Sequence, residues 1–184
     1  VLAAEDARFY EHGGISLVGI ARAAIANVRG GEVRQGGSTI TQQLAKTSFL
    51  SSDRSLKRKA QEVIISFWLE AWLTKDEILS RYLSSIYFGD GVYGLRAAAK
   101  HYFDRSPERL TLAQSAMLAG LVQAPSRLAP TRNLKLAQKR GWLVLEEFER
   151  RHFFLLSAAG APAGRWVVVA GVHRFTLFWS PVTA

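Results

Sequence analysis

Three times along this chain a threonine is followed three residues later by glutamine or glutamate, just where an apolar run of helical period begins: Thr39 with Gln42, Thr74 with Glu77, and Thr111 with Gln114. Each pair fits a capping box, in which the hydroxyl takes the backbone N–H three residues on and the longer side chain reaches back to the threonine N–H. A chain that starts its elements this way is built from helices. Ser16 can cap another, bearing Leu17, Ile20, Ala21, Ala24, Ile25 and Val28 and closed by Gly30-Gly31. The stretches Thr39 to Phe49 and Ser55 to Leu73, the latter with Val63, Ile64, Phe67, Trp68 and Trp72, read as helices with one buried face. Thr74 opens Ile78, Leu79, Tyr82, Leu83 and Ile86, and Thr111 opens a segment ending near Val122.

Gly89 to Gly94 reads as a connector between helices, ahead of an alanine-rich helix from Leu95 to Tyr102. Pro125 and Pro130 bracket a loop, and Asn133 to Arg151 is helical, with Leu134, Ala137, Leu145 and Phe148 near one stripe. From His152 the pattern changes, and Trp166 to Ala170 and Phe175 to Trp179 look like short strands. The expectation is an all-α, mostly helical domain over residues 1–151 and a divergent segment, irregular or short-stranded, over 152–184.

The 184 residues carry a formal net charge of +9, which calls for an anionic partner: nucleic acid, an anionic membrane surface or a phosphorylated substrate. The absence of cysteine excludes disulfides and thiolate metal sites. No apolar run reaches the roughly 18 residues of a spanning helix. The chain opens on Val1-Leu2-Ala3-Ala4 without methionine, so it reads as a piece of something longer, with any membrane anchor ahead of Val1.

Three clusters can carry chemistry. In Glu5-Asp6-Ala7-Arg8-Phe9-Tyr10-Glu11-His12 a helix would bring Glu5, Phe9 and His12 to one face, where the ring would shield Glu5, raise its pKa and suit it to act as a general base on a sugar hydroxyl. The bland reading is a helix terminus whose acids complement the macrodipole, with His12 a satisfied structural histidine. The second cluster, Gly36-Gly37-Ser38-Thr39-Ile40-Thr41-Gln42-Gln43, is too rich in hydroxyls and amides for a core helix, and capping accounts only for Thr39 and Gln42. The third gathers Lys46, Arg54, Lys57, Arg58 and Lys59 ahead of Glu62, with Arg58 and Lys59 four and three residues before it. As structure this is a surface salt-bridge group. As function it is a diphosphate cradle in which Glu62 orients or protonates a leaving group or holds a divalent cation.

Taken together, these clusters resemble the family-51 peptidoglycan glycosyltransferases, the glycan-polymerising domain of bifunctional penicillin-binding proteins and of monofunctional transglycosylases. Glu5, Asp6, Phe9, His12 and Gly14 meet the family's first motif, Gly36 through Gln43 its second, and Arg58, Lys59 and Glu62 its third. A fourth is similar to Ile78 through Gly89 with Tyr93-Gly94, and a fifth to Ala116 through Leu121 with Ala124-Pro125-Ser126. The resemblance runs from Val1 to about Leu145 and implies a lysozyme-like fold. It implies extension of a β-1,4 glycan, with lipid II as acceptor, the growing lipid-linked chain as donor, and undecaprenyl diphosphate released with inversion. Glu5 would be the base and Glu62 would assist departure, through a divalent cation such as Mg or Mn if one is used, with no organic cofactor. Lys46, Arg54, Arg58 and Lys59 would bind diphosphate, while Asp6, Phe9, Ser38, Thr39, Gln42 and Gln43 would line or shape the cleft. The implied place is the outer face of the bacterial cytoplasmic membrane, with an anchor and a transpeptidase domain outside this chain.

Two positions depart from the family pattern: Ser84 stands where asparagine is usual and Gln114 where glutamate is. The chain lacks Ser-x-x-Lys, and Lys46-Thr47 is followed by Ser48, so no transpeptidase site is expected within it. A lysozyme-like hydrolase would share the carboxylate in an aromatic setting but leaves the basic cluster unexplained. A nucleic-acid-binding module would use the charge, but aromatics do not interleave the basic run, and no nucleic-acid partner is expected.

Overall fold

The computed structural model describes residues 1–30, 37–50, 53, 55–158, 164–171 and 174–181, with side chains as far as residue 150 except those of Ala3, Arg22 and 26–30. Its helices are α1 (Leu2–Glu5), α2 (Leu17–Gly30), α3 (Ile40–Phe49), α4 (Leu56–Trp72), α5 (Lys75–Ser85), α6 (Leu95–Phe103), α7 (Leu112–Leu121), α8 (Pro125–Leu128) and α9 (Pro130–Ala158). Single 3₁₀ turns stand at Phe9–Glu11 and Pro107–Arg109.

All three threonine boxes form. Thr39, Thr74 and Thr111 each accept from the backbone N–H three residues on, and Gln42, Glu77 and Gln114 return the bond. Gln114 therefore caps α7 as Glu77 caps α5, because either side chain presents an oxygen to the threonine N–H. Ser16 Oγ accepts from Gly19 N at 3.0 Å at the start of α2. At the end of that helix, Gly31 lies outside the described residues.

Between α5 and α6 the chain forms a small antiparallel pair rather than a plain connector. Strands β1 (Tyr87–Gly89) and β2 (Val92–Tyr93) flank Asp90 and Gly91, which both take positive φ, 52° and 75°. Positive φ at both central residues is the signature of a tight hairpin, and Asp-Gly is the dipeptide that adopts it most cheaply. The bracket between the two prolines likewise holds the single turn α8, with Pro125 at the first helical position, where its missing N–H costs nothing. Within α9, Asn133 has non-helical angles (φ −151°, ψ 82°), and its Oδ1 accepts from Leu136 N at 3.0 Å. It is an N-cap, so the long helix proper begins there, as its sequence suggests, and it continues past Arg151 to Ala158. Beyond it β3 (Gly164–Gly171) pairs antiparallel with β4 (Arg174–Pro181), with Trp166 opposite Trp179 and Val168 opposite Leu177.

The core lies where α3 packs between α4 and α5 and where α7 lies along α9. Phe9, Ile40, Ile78, Tyr82, Phe88 and Leu121 are completely or almost completely buried. The stripe expected on α9 is corrected: Ala137 and Val144 are buried, and Gly141 falls between them, while Leu134 and Phe148 are 52% and 42% exposed. Small residues win because α9 closes onto the backbone of α7, leaving no room for larger ones.

The face of α4 is reversed from expectation. Glu62, Ser66 and Leu69 are buried, whereas Ile64, Phe67, Trp68 and Trp72 are exposed, Trp72 by 74%. Leu17, Val18, Ile20 and Ile25 of α2 are exposed as well. The polar side of α4 faces the octet instead, where Lys59 donates to Ser38 and Glu70 accepts from Thr41.

Candidate active site

The segment around Glu5 is not one helix. Asp6 leaves helical geometry (φ −152°, ψ 76°), ending α1 at Glu5, and the chain resumes as the 3₁₀ turn at Phe9. The single face expected for Glu5, Phe9 and His12 is therefore lost. Phe9 turns into the core, 1% exposed, with the Lys75 ammonium 4.4 Å from its ring centroid and the rings of Tyr10 and His12 edge-on. It anchors the segment.

Asp6 is buried and spends both oxygens on the protein. Oδ1 meets His12 Nε2 at 2.8 Å, and Oδ2 accepts from Ile40 N at 3.1 Å, at the positive end of α3. The other His12 nitrogen, Nδ1, contacts Gly13 O at 2.7 Å, so the imidazole is satisfied on both sides. Asp6 thus ties the first motif to the helix that carries the second.

Of the octet, Gly36 lies outside the described residues and the rest is well placed. Thr39 and Gln42 close their capping box in the interior, and Thr39 Oγ1 also donates to Gly14 O at 2.7 Å. Both shape the wall with their side chains turned to protein partners. Gly14 lies so close to α4 that a Cβ on it would be 2.9 Å from the Ser66 carbonyl carbon, so the first motif requires glycine there for contact. Thr41 Oγ1 donates to Glu70 at 2.6 Å, and Lys75 meets the same oxygen at 2.7 Å.

The octet also touches Glu5 directly and reaches Glu62 through Lys59. Gln43 Nε2 donates to Glu5 Oε2 at 3.2 Å, and Lys59 Nζ donates to Ser38 Oγ at 2.9 Å. Lys59 also contacts Glu62 Oε1, and Arg58 Nη1 donates to Glu62 Oε2 at 2.7 Å. The Glu62 side chain is 3% exposed against 16% for Arg58 and 42% for Lys59, so the cations point from a buried anchor toward solvent. This is no surface salt-bridge group, because its acid is interior. A small cleft, open to solvent, is lined by Glu5, Asp6, Arg8, Gly37, Ser38 and Thr39 with residues of the α2 start. Lys46 is exposed in the last turn of α3, and Arg54 lies outside the described residues.

Glu62 does not fit a resident divalent cation. Such ions take several oxygen donors, whereas both Glu62 oxygens are held by cations, and no group of three acidic or histidine residues able to ligate a metal occurs among the described residues.

Sequence reasoning left Tyr82 as an apolar helix position. It is wholly buried, and its hydroxyl donates to Gln43 Oε1 at 2.9 Å. Burial, and then the charges of Glu5 and Asp6, push its phenol far above the usual range, so the hydroxyl remains a donor. A tyrosine inside an apolar stripe needs a polar partner, which is the signal that could have singled it out. Arg8, which lines the cleft and lies 3.9 Å from Glu11, was likewise passed over.

Comparison with known proteins agrees with this geometry. A family model described as "Transglycosylase" matches residues 1–149. The chain is 48% identical over 145 residues to penicillin-binding protein 1A of Neisseria flavescens and of Neisseria gonorrhoeae, which covers 79% of this chain and 18% of each relative. It is 47% identical over 146 residues to a Cupriavidus necator protein named as a transglycosylase, which covers 79% of this chain and 63% of that one. The chain thus spans less than a fifth of the length of the Neisseria relatives. With the family model covering residues 1–149, most of its length, the chain belongs to the transglycosylase family.

Proposed function

We propose that this chain polymerises peptidoglycan, joining lipid II to a lipid-linked glycan strand through a β-1,4 bond, and that residues 1–151 form the domain that does so. The observation that carries the proposal is the bridge at Ser38. Its hydroxyl accepts from Lys59, and the same residue lines the cleft that holds Glu5, so Ser38 links the cation cradle to the cavity of the base. In the proposed step Glu5 takes the proton of the acceptor 4-hydroxyl as that oxygen bonds to the donor's anomeric carbon. The bond from this carbon to the phosphate oxygen breaks on the opposite face, and undecaprenyl diphosphate leaves with the electron pair, which gives inversion. Lys59 and Arg58, with Lys46 and Arg54, neutralise the leaving diphosphate, and Glu62 holds the first two in place. A hydrolase needs no such cradle.

The reversed face of α4 supports a membrane partner. Ile64, Phe67, Trp68 and Trp72 form an exposed apolar stripe, which suits contact with the lipid surface that presents the substrate. No helix among the described residues is long and apolar enough to cross a bilayer, so the role assigned to this stripe is contact at the outer face of the cytoplasmic membrane. The test is polymerisation of lipid II by this chain. Glu5→Gln should abolish polymer while leaving the circular dichroism spectrum unchanged, and polymer at the wild-type rate would refute the assignment.

A further inference from the structure

We propose that Tyr82 is a positioning residue for Glu5, acting through Gln43; this rests on Glu5 being the base. Three side chains from three elements form one line: Tyr82 of α5, Gln43 of α3 and Glu5 at the end of α1. The chemistry of the two ends fixes the middle. A carboxylate only accepts, so the Gln43 amide must turn its NH2 toward Glu5 and its carbonyl oxygen toward Tyr82, where a hydroxyl can donate. Without that hydroxyl the amide is oriented by the Glu5 carboxylate alone and loses the second anchor that fixes the side chain in place.

Tyr82 is fixed in its turn. It is fully buried in the core, on a helix held at its start by the Thr74 box. The relay thus transmits the rigidity of the core to a half-buried carboxylate at the edge of an open cleft. Asp6 cannot substitute for Gln43, because its carboxylate, accepting from His12 and the α3 backbone, has no proton to donate to Glu5. The other charged or titratable groups near Glu5 are Asp6 and Arg8 on the cleft, Tyr82 itself, and the Val1 amino group one turn back.

The test uses initial rates of lipid II polymerisation by the full chain between pH 5 and 9. Tyr82→Phe should lower kcat by about tenfold with KM within about twofold, and should move the acid limb of the profile up by about one pH unit, because the donor that favours the ionised carboxylate is no longer fixed. Adding Gln43→Ala to Tyr82→Phe should cost no more than Gln43→Ala alone. An unmoved limb, or losses that multiply, would overturn the proposal, since a merely structural tyrosine adds its effect independently. If Tyr82→Phe fails to fold, Gln43→Ala by itself must move the limb upward, and an unmoved limb there is equally fatal. Glu5→Gln in parallel separates the two levels: activity retained removes the base, whereas activity lost with Tyr82→Phe unaffected removes only the positioning role.

Discussion

Replacing Glu62 by glutamine takes one charge out of a site that water hardly reaches. The side chain is 3% exposed and its Arg58 partner 16%, so this pair is screened little, and breaking it while keeping one amide oxygen as acceptor costs about 2.5 kcal/mol. Lys59 is 42% exposed, and solvent reduces its share to no more than about 0.5 kcal/mol. The sum is about 3 kcal/mol, which at a urea slope of about 2 kcal/mol per molar lowers the unfolding midpoint by about 1.5 M. The same change should strengthen anion binding. Two cations less one carboxylate leave a net charge of +1 in the wild type, whereas the variant keeps +2. One more charge at about 6 Å, with an effective dielectric constant near 40, contributes roughly 1.4 kcal/mol, or about tenfold. Urea titration followed by circular dichroism reads the first effect, and calorimetric titration with inorganic diphosphate at low salt reads the second. A midpoint within about 0.3 M of wild type, or unchanged diphosphate affinity, would refute the reading of Glu62 as a buried anchor for two cations.

Two further outcomes test the surrounding frame. Gly94 has φ 82°, and a Cβ there would stand 2.5 Å from the Ser84 carbonyl oxygen, so Gly94→Ala should cost about 3 kcal/mol and lower the melting temperature by roughly 10 °C; an unchanged melt would refute it. The Asp90 carboxyl is held below its ordinary value chiefly by the Thr131 hydroxyl, with help from His101, Tyr102 and Arg132. A depressed carboxyl stabilises the fold above its unfolded value and loses that contribution as pH falls through the folded one. Asp90→Asn should therefore be less stable than wild type at pH 7, with the gap closing below about pH 4, and a gap independent of pH would contradict the assignment.

What could be read from the sequence is what neighbouring residues decide among themselves. The capping boxes, the Asn133 start and the ion set of Arg58, Lys59 and Glu62 involve partners three or four residues apart, and all form as their spacing suggests. The β1–β2 turn was equally local, and the Asp90-Gly91 signal for it was present. Contacts that cross the fold were not legible. Tyr82 and Gln43 are 39 positions apart and Thr41 and Glu70 are 29 apart, and nothing in either segment names the other. The reversed face of α4 was hidden for a different reason. Periodicity identifies the apolar side of a helix but assumes that it turns inward, and here the polar side turns to the octet instead, with Lys59 on Ser38 and Glu70 on Thr41.

That reversal means the wall of the cleft and the core beneath it answer to different solvents. The α7–α9 seam is held by apolar burial and close backbone packing, which denaturants and cooling weaken. The polar side of α4 is joined to the octet by hydrogen bonds from Lys59 to Ser38 and from Thr41 to Glu70, while its largest apolar side chains stay half or more exposed to water. Their burial becomes available only when something apolar covers them. On the membrane contact proposed above, a bilayer would be more than a place of work: it would supply part of the hydrophobic stabilisation that the helix forgoes within its own fold.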